Sequence, residues 1–128
     1  MPNVDVEALL IPWLTSTLGV RFVTDLPANL ADVLPLGQVT RIGGADDDNV
    51  ASFDAPVVDV DYFAADRAAV SDLARRGHTA LRITLPGLTV GAGTVTKVQT
   101  ITGPSWRPYD DTLLRRIGAS YRLYIRTR

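Results

Sequence analysis

Few residues of this sequence are of the types that could perform catalysis or bind a metal. Three aspartates stand in a row at Asp46, Asp47 and Asp48. Carboxylate oxygens suit Ca²⁺ or Mg²⁺, but three adjacent residues converge poorly on one ion, and the spacing of a calcium-binding loop is absent. The triplet therefore favours a solvated acidic loop over a cation site.

The remaining candidates for chemistry are equally isolated. His78 is the single histidine, which excludes a metal site built on two histidines and favours a partly exposed surface side chain. None of the serines lies in a G-x-S-x-G motif. The short glycine pair at residues 91–93 lacks the flanking strand and helix of a phosphate-binding loop. We therefore predict no enzymatic activity, no catalytic residue, no metal and no cofactor.

The composition is that of one globular domain spanning residues 1–128. Hydrophobic residues make up 46% and charged residues 21% of the chain, which is ordinary for such a domain. Cysteine is absent, so disulfides and thiolate metal sites are excluded. No apolar run approaches the roughly 20 residues of a membrane helix. An acidic beginning is unlike a secretory signal, so we expect a soluble protein made in a cytoplasm.

Charge is distributed unevenly along the chain, although the net charge is only −1. The first 66 residues hold eleven acidic and two basic side chains, whereas the last 32 hold seven basic and two acidic ones. Such a molecule suits an assembly in which one flank meets a different flank of the next copy. A net charge this close to zero argues against nucleic acid as the main partner.

Hydrophobic periodicity predicts two helices. An apolar stripe predicts the first over residues 4–18, with Asn3 or Asp5 as its N-cap and a kink at Pro12. A second amphipathic pattern predicts a helix over residues 64–82.

The remaining periodic segments predict strands over residues 20–23, 36–42, 55–63, 94–102 and 118–127. Two amphipathic helices and strands linked by short loops predict an α+β fold. We expect a mostly antiparallel sheet of about four to five strands, with both helices packed on one face.

The two faces of two predicted strands differ sharply. In the 55–63 strand the apolar side chains alternate with Asp59 and Asp61. In the last strand five apolar residues alternate with Arg116, Ser120, Arg122, Tyr124 and Arg126. This polar face is either a solvated face, on which Arg122 and Arg126 pair with the two aspartates, or a docking surface for another protein.

The segment from Gly103 to Asp111 resembles a rigid loop. Pro104 and Pro108 restrict the backbone around Trp106, so little entropy would be lost when that ring docks. The ring belongs either to the core or to a contact with a neighbouring subunit. The candidate interface residues are Asp59, Asp61, Trp106, Arg107, Tyr109, Arg116, Arg122, Tyr124 and Arg126.

Four stretches, in order, resemble the tail terminator, or tail completion, proteins of long-tailed bacteriophages. They are DVEALLIPWL at 5–14, LPLGQVTRIGG at 34–44, FDAPVVDVDYFAADRAAVSDLA at 53–74 and GPSWRPYDDTLLRRIGASYRLYIR at 103–126. Together they cover most of the chain. That family has no catalytic signature, so the resemblance depends on the ordered set rather than on one motif.

The resemblance implies a virion protein that caps the head-proximal end of the tail tube as a hexameric ring. Such a ring would end tube polymerisation and offer the surface for head–tail joining. Its partners would be the tube protein and the head-closure or connector proteins, with genome DNA passing through the lumen unread and no membrane involved. Three alternatives remain open. The chain could be a head-closure or neck connector protein, a small non-catalytic α/β binding domain, or a metal-dependent enzyme that uses the acidic loop.

Overall fold

The computed structural model describes residues 5–46, 53–91, 93–107 and 114–127. Its two α-helices are α1 (Val6–Leu18) and α2 (Arg67–Thr79). Its strands are β1 (Phe22–Val23), β2 (Leu36–Asp46), β3 (Phe53–Ala64), β4 (Thr89–Val90), β5 (Gly93–Trp106) and β6 (Arg115–Thr127). A 3-10 turn over Leu30–Asp32 and a π-helical turn over Ala80–Thr84 complete the elements.

All six strands belong to one sheet in the order β1-β2-β3-β6-β5-β4. The β1–β2 pair is parallel and the other four pairs are antiparallel. The α+β class is thus confirmed, but the sheet is larger than the predicted four to five strands and is mixed. Strand β1 lies within the strand predicted at residues 20–23, so the additional strand is β4, which has only two residues, too few to give an alternating pattern in the sequence.

Both helices begin at an aspartate. The Asp5 carboxylate accepts a hydrogen bond from the N–H of Ala8, and the Asp66 carboxylate accepts one from the N–H of Ala69. These N-caps satisfy donors that have no partner within the helix. The first helix continues through Pro12 and ends at Gly19, whose positive φ of 68° suits a residue without a side chain.

The second helix is shorter than the predicted 64–82. Ala64 still belongs to β3, so the helix cannot begin until the chain has turned at Asp66. At its other end the chain continues as the π-helical turn rather than as α-helix.

The helices pack together on one face of the sheet, as predicted. Their apolar stripes and the inward side chains of β2, β3, β5 and β6 form one buried cluster. The predicted inner face of β6 is confirmed, because all five of its apolar residues belong to this cluster: Ile117, Ala119, Tyr121, Leu123 and Ile125. A smaller cluster of Leu30, Leu36, Phe63 and Leu114 is separate from it.

The long strands extend past the glycines and proline at which the sequence predicted their ends. Strand β2 continues through the Gly43-Gly44 pair after a bulge that leaves Ile42 unpaired. Strand β5 continues to Trp106, and Pro104 falls in an irregularity between Thr102 and Ser105. Proline is tolerated there because an edge strand with a bulge loses no ladder hydrogen bond to it. The predicted 103–111 loop is therefore strand at least as far as Trp106.

No helix in the described ranges is both long enough and apolar enough to cross a membrane.

Candidate assembly surface

The sheet face opposite the helices, here called the outer face, carries the aspartates that the sequence singled out. Val60 and Tyr62 of β3 point into the core beneath the helices, so Asp59 and Asp61 between them point outward. Asp61 is nevertheless only 3% exposed. A carboxylate that is almost completely buried requires compensating partners.

Two arginines from different strands supply that compensation. The Nη1 of Arg107 donates to Oδ1 of Asp61 at 3.0 Å, and the Nε of Arg116 donates to the same oxygen at 3.2 Å. The Nη2 of Arg107 also lies 3.6 Å from Oδ1 of Asp59. The network therefore joins β3, β6 and the end of β5 within one subunit.

Two small residues of β6 complete the network. The hydroxyl of Ser120 donates to Asp59 and lies 3.5 Å from Nη2 of Arg107. Gly118 lies opposite Asp61, and a Cβ at this position would overlap both the carboxylate and the guanidinium of Arg107. The absence of a side chain at Gly118 is what lets these two charges meet.

Trp106 lies on the opposite side of the sheet from its neighbour Arg107. It stands beside Ile117, an inward residue, and its ring stacks under the guanidinium of Arg67 at 4.1 Å from the ring centroid. The ring is 44% exposed. Trp106 is therefore not a core residue, and the end of β5 is held from both sides: by a cation–π contact to α2 and by the ion pair to β3.

The remaining polar residues of β6 do not pair with the aspartates. Arg122 stands opposite Val57, diagonal to Asp59, and Arg126 stands opposite Phe53, but the ion pairs of the two aspartates are made by Arg107 and Arg116. The predicted pairing of Arg122 and Arg126 with the two aspartates is therefore wrong. Ser120 and Gly118 stand opposite the carboxylates, and the space at Gly118 admits the side chain of Arg107 from beyond β6.

Within the described parts of the chain, neither Arg122 nor Arg126 forms an ion pair. Tyr124, between them, donates its hydroxyl proton to Gln99 at 3.1 Å and lies under the ammonium group of Lys97. Arg122 and Arg126, with Tyr124 between them, form a strip on the outer face, here called the basic strip, whose two arginines have no acidic partner among the described residues. Tyr109, the other predicted contact residue, and Asp47 and Asp48 of the acidic triplet lie outside the described residues.

A polar contact that the sequence did not indicate lies between α2 and the sheet, where His78, which is partly exposed as predicted, meets the buried Tyr121. The Nδ1 of His78 is 2.7 Å from the hydroxyl of Tyr121, and the nearby Arg82 donates to Thr100. Burial, with a smaller contribution from the positive charge of Arg82, lowers the pKa of His78. Burial raises the pKa of Tyr121, so the phenol stays protonated.

Tyr62 lies in the same layer, directly under Gly77 of α2. Among the described atoms its buried hydroxyl has no hydrogen-bond partner, and burial raises its pKa well above the ordinary value. Helix α2 approaches the sheet this closely because a glycine stands above the ring. The alternation of β3 predicted that Tyr62 points inward, but nothing in the sequence indicated that its hydroxyl would lack a partner.

The sequence also did not indicate an ion pair on the sheet face that the helices cover. Arg41 of β2 pairs with the fully buried carboxylate of Asp54 at 3.4 Å, and the backbone N–H of Arg41 donates to Glu7 at 2.9 Å. These contacts tie the start of α1 to the β2–β3 hairpin. Asp54 and Arg41 lie 13 positions apart, and only the hairpin register brings them together.

A cleft of about 450 Å³ opens between the end of α1 and α2, but its charged lining residues already bind each other: Arg76 binds Asp72 and the carbonyl of Leu18. Among the described residues no three histidine, aspartate or glutamate side chains are grouped to hold a metal ion.

The sequence matches no protein-family model and no curated protein. The fold is similar to that of a chain in the solved virion of a native gene transfer agent (GTA) particle, with a TM-score of 0.62. The alignment covers 88% of this chain and 84% of that chain at 16% sequence identity. At this identity the likeness shows that the two chains share a fold.

Proposed function

We propose that this protein is a structural component of a phage-like virion and that it acts as a tail terminator. The observation that carries the proposal is the fold shared over 88% of the chain with a component of a gene transfer agent virion. The four ordered stretches that resemble tail terminators narrow the role to the head-proximal end of the tail tube. There a ring of six copies ends tube polymerisation and receives the head-closure proteins.

The charge distribution of the outer face supports assembly into a closed ring. A ring uses a heterologous contact, in which one patch meets a different patch of the next copy. Asp59 and Asp61 are satisfied inside the subunit, whereas Arg122 and Arg126 have no acidic partner among the described residues. The basic strip therefore serves as one half of such a contact, and acidic groups from the front half of a neighbour serve as the other.

Double charge reversal of the strip tests the ring without disturbing the fold. Arg122→Glu combined with Arg126→Glu should lower the assembled mass measured by light scattering from that of a ring to that of a monomer. Arg21→Glu together with Arg75→Glu is the control, because it reverses two exposed arginines outside the strip. Assembly that persists unchanged after reversal of the strip would contradict this use of the surface.

The role at the tube end requires a separate measurement. Purified protein added to a polymerising tail-tube protein should give tubes of limited length that carry a ring at one end in negative-stain images. An equal amount of the Arg122→Glu, Arg126→Glu variant should leave tube length unlimited. Tubes whose length is unaffected by the unaltered protein would refute the terminator role.

A further inference from the structure

Two exposed aspartates in the first half of the chain have no partner among the described residues of their own subunit. Asp25 and Asp32 form neither an ion pair nor a side-chain hydrogen bond within the described ranges. We call these two residues the acidic pair. The other acidic side chains described in the first 66 residues cap a helix, bind a backbone N–H or bind an arginine: Asp5, Glu7, Asp54, Asp59, Asp61 and Asp66.

The acidic pair lies on a segment that covers one end of the outer face. Leu30, between the two aspartates, belongs with Phe63 to the smaller buried cluster. Phe63 points to the outer face because its neighbour Tyr62 points into the main core. The side-chain amide of Gln38 donates to the carbonyl of Thr24 at 3.0 Å, which ties the same segment to β2. These contacts hold the acidic pair at the Phe63 end of the outer face.

The basic strip lies at the opposite end of the same face. Arg122 stands opposite Val57 and Arg126 stands opposite Phe53, which are six and ten residues along β3 from Phe63. At roughly 3.3 Å per residue, the two arginines stand roughly 20 Å and 30 Å from the Phe63 end of the sheet. An arginine side chain is too short to cross either distance. The strip and the acidic pair of one subunit therefore do not meet.

The basic residues near the acidic pair do not cancel its charge. Arg116, opposite Phe63, binds Asp61, and Arg115 beside it donates to the carbonyl of Leu114 at 3.2 Å. In the stretch from residue 21 to residue 35, Arg21 is the single basic residue against the two aspartates. This stretch thus keeps a net negative charge, which suits a basic partner.

We propose that the basic strip of one copy binds the acidic pair of the next copy. This inference rests on the ring of the proposed function and names the acidic half of its contact. The occupant is a second copy because the chain carries two patches of opposite charge on one face, at ends too far apart to meet within one subunit. Two unlike patches join copies head to tail rather than in a symmetric dimer, as a ring requires.

Exchange of charge between the two patches tests this contact. The acid-reversed variant, Asp25→Arg with Asp32→Arg, should have the mass of a monomer in light scattering, because two basic patches then face each other. The strip-reversed variant, Arg122→Glu with Arg126→Glu, should also be a monomer, because two acidic patches then face each other. All four substitutions in one chain should restore the mass of the ring, since the exchanged charges attract again.

A mixture of the acid-reversed and strip-reversed variants gives a second test. In the mixture each chain can have the other variant on both sides and meets an opposite charge at both contacts. Two monomeric proteins should therefore form rings in which the variants alternate, which a ring of six allows because six is even. The control adds Arg75→Glu and Arg82→Glu, two exposed positions on the helix side, to the acid-reversed variant. It restores the net charge without altering the strip, so it should remain a monomer.

The other outcomes would overturn the proposal in distinguishable ways. Rings formed by the acid-reversed variant alone would show that the strip binds another part of the next copy. Monomers from both the fourfold variant and the mixture, with the fold verified by circular dichroism, would refute the direct contact. Either result would leave the proposed function standing. The tube assay repeats the comparison for a ring that forms at tube ends, and an unaltered protein that neither forms rings nor caps tubes would refute both.

Discussion

The guanidinium of Arg107 lies 3.0 Å from Oδ1 of Asp61, although 46 positions separate the two residues. Arg107 follows the last residue of β5, and Asp61 lies near the end of β3, with β6 between the two strands. The side chain of Arg107 reaches across β6 because Gly118 leaves the space open. This contact holds the end of β5, and with it Trp106, in a defined position.

Loss of this contact should measurably destabilise the fold. Arg107→Ala leaves the buried Asp61 with Arg116 as its remaining charged partner, so the free energy of unfolding should fall by about 1–3 kcal/mol. Arg75→Ala is the matched control, because its ion pair with Asp72 is exposed, and it should change stability by less than about 0.5 kcal/mol. Urea denaturation measures the unfolding free energy of both variants. Equal losses would show that the buried Arg107–Asp61 pair contributes no more to stability than the exposed Arg75–Asp72 pair.

Substitution of Gly118, the glycine beneath this ion pair, should also destabilise the fold. Gly118→Ala introduces a Cβ that overlaps the Asp61 carboxylate, so the variant should lose about 1–3 kcal/mol of stability through displacement of the pair. Gly103→Ala is its control, because a Cβ there meets no atom within 4 Å. Thermal unfolding of the two variants compares them, and a Gly118→Ala protein as stable as the control would contradict the geometry.

The two tryptophans should respond differently to removal of the ring. Trp13 packs against the core, so Trp13→Ala should lower the unfolding free energy by about 2–4 kcal/mol. Trp106 is 44% exposed, so Trp106→Ala should lower it less while weakening assembly more. Denaturation and light scattering on the same two variants separate these effects. Normal assembly of the Trp106→Ala protein would show that Trp106 is not part of the interface.

Removal of the buried hydroxyl of Tyr62 should not destabilise the fold, in contrast to the substitutions above. Because this oxygen has no partner among the described atoms, Tyr62→Phe should leave stability unchanged or raise it by about 1 kcal/mol. Tyr124→Phe, which deletes a hydroxyl bonded to Gln99, should not raise stability. Urea midpoints compare the two variants, and a marked loss of stability in Tyr62→Phe would contradict the absence of a hydrogen-bond partner for this hydroxyl.

His78 should make stability depend on pH. Its pKa is lower in the folded than in the unfolded state, so the unfolded state binds the proton first as the pH falls. The contribution is complete above the unfolded value of about 6.5 and is lost as the pH falls toward the folded value. The stability difference between the unaltered protein and His78→Gln should therefore shrink between pH of about 7.5 and about 5.5. A constant difference across this range would contradict the shift.

Local patterns identified the parts of the fold that depend on side-chain alternation. The inward residues of β6 and the outward position of Asp59 and Asp61 follow from a period of two. The N-cap at Asp5 follows from a short acceptor before an apolar stripe. The two-residue strand β4 and the continuation of β5 through Pro104 did not follow, because they depend on which strand lies beside them.

The sequence by itself determined the class of fold, the polar and apolar faces of the main strands, and the accumulation of basic charge near the end of the chain. Only the tertiary structure decided which charges are neutralised: Asp61 binds Arg107 and Arg116, whereas Arg122 and Arg126 have no acidic partner among the described residues. The physical reason is register. Strand alignment decides which side chains stand near each other across the sheet, whereas a hydrophobic pattern fixes a side chain's face but not its neighbours on the adjacent strands.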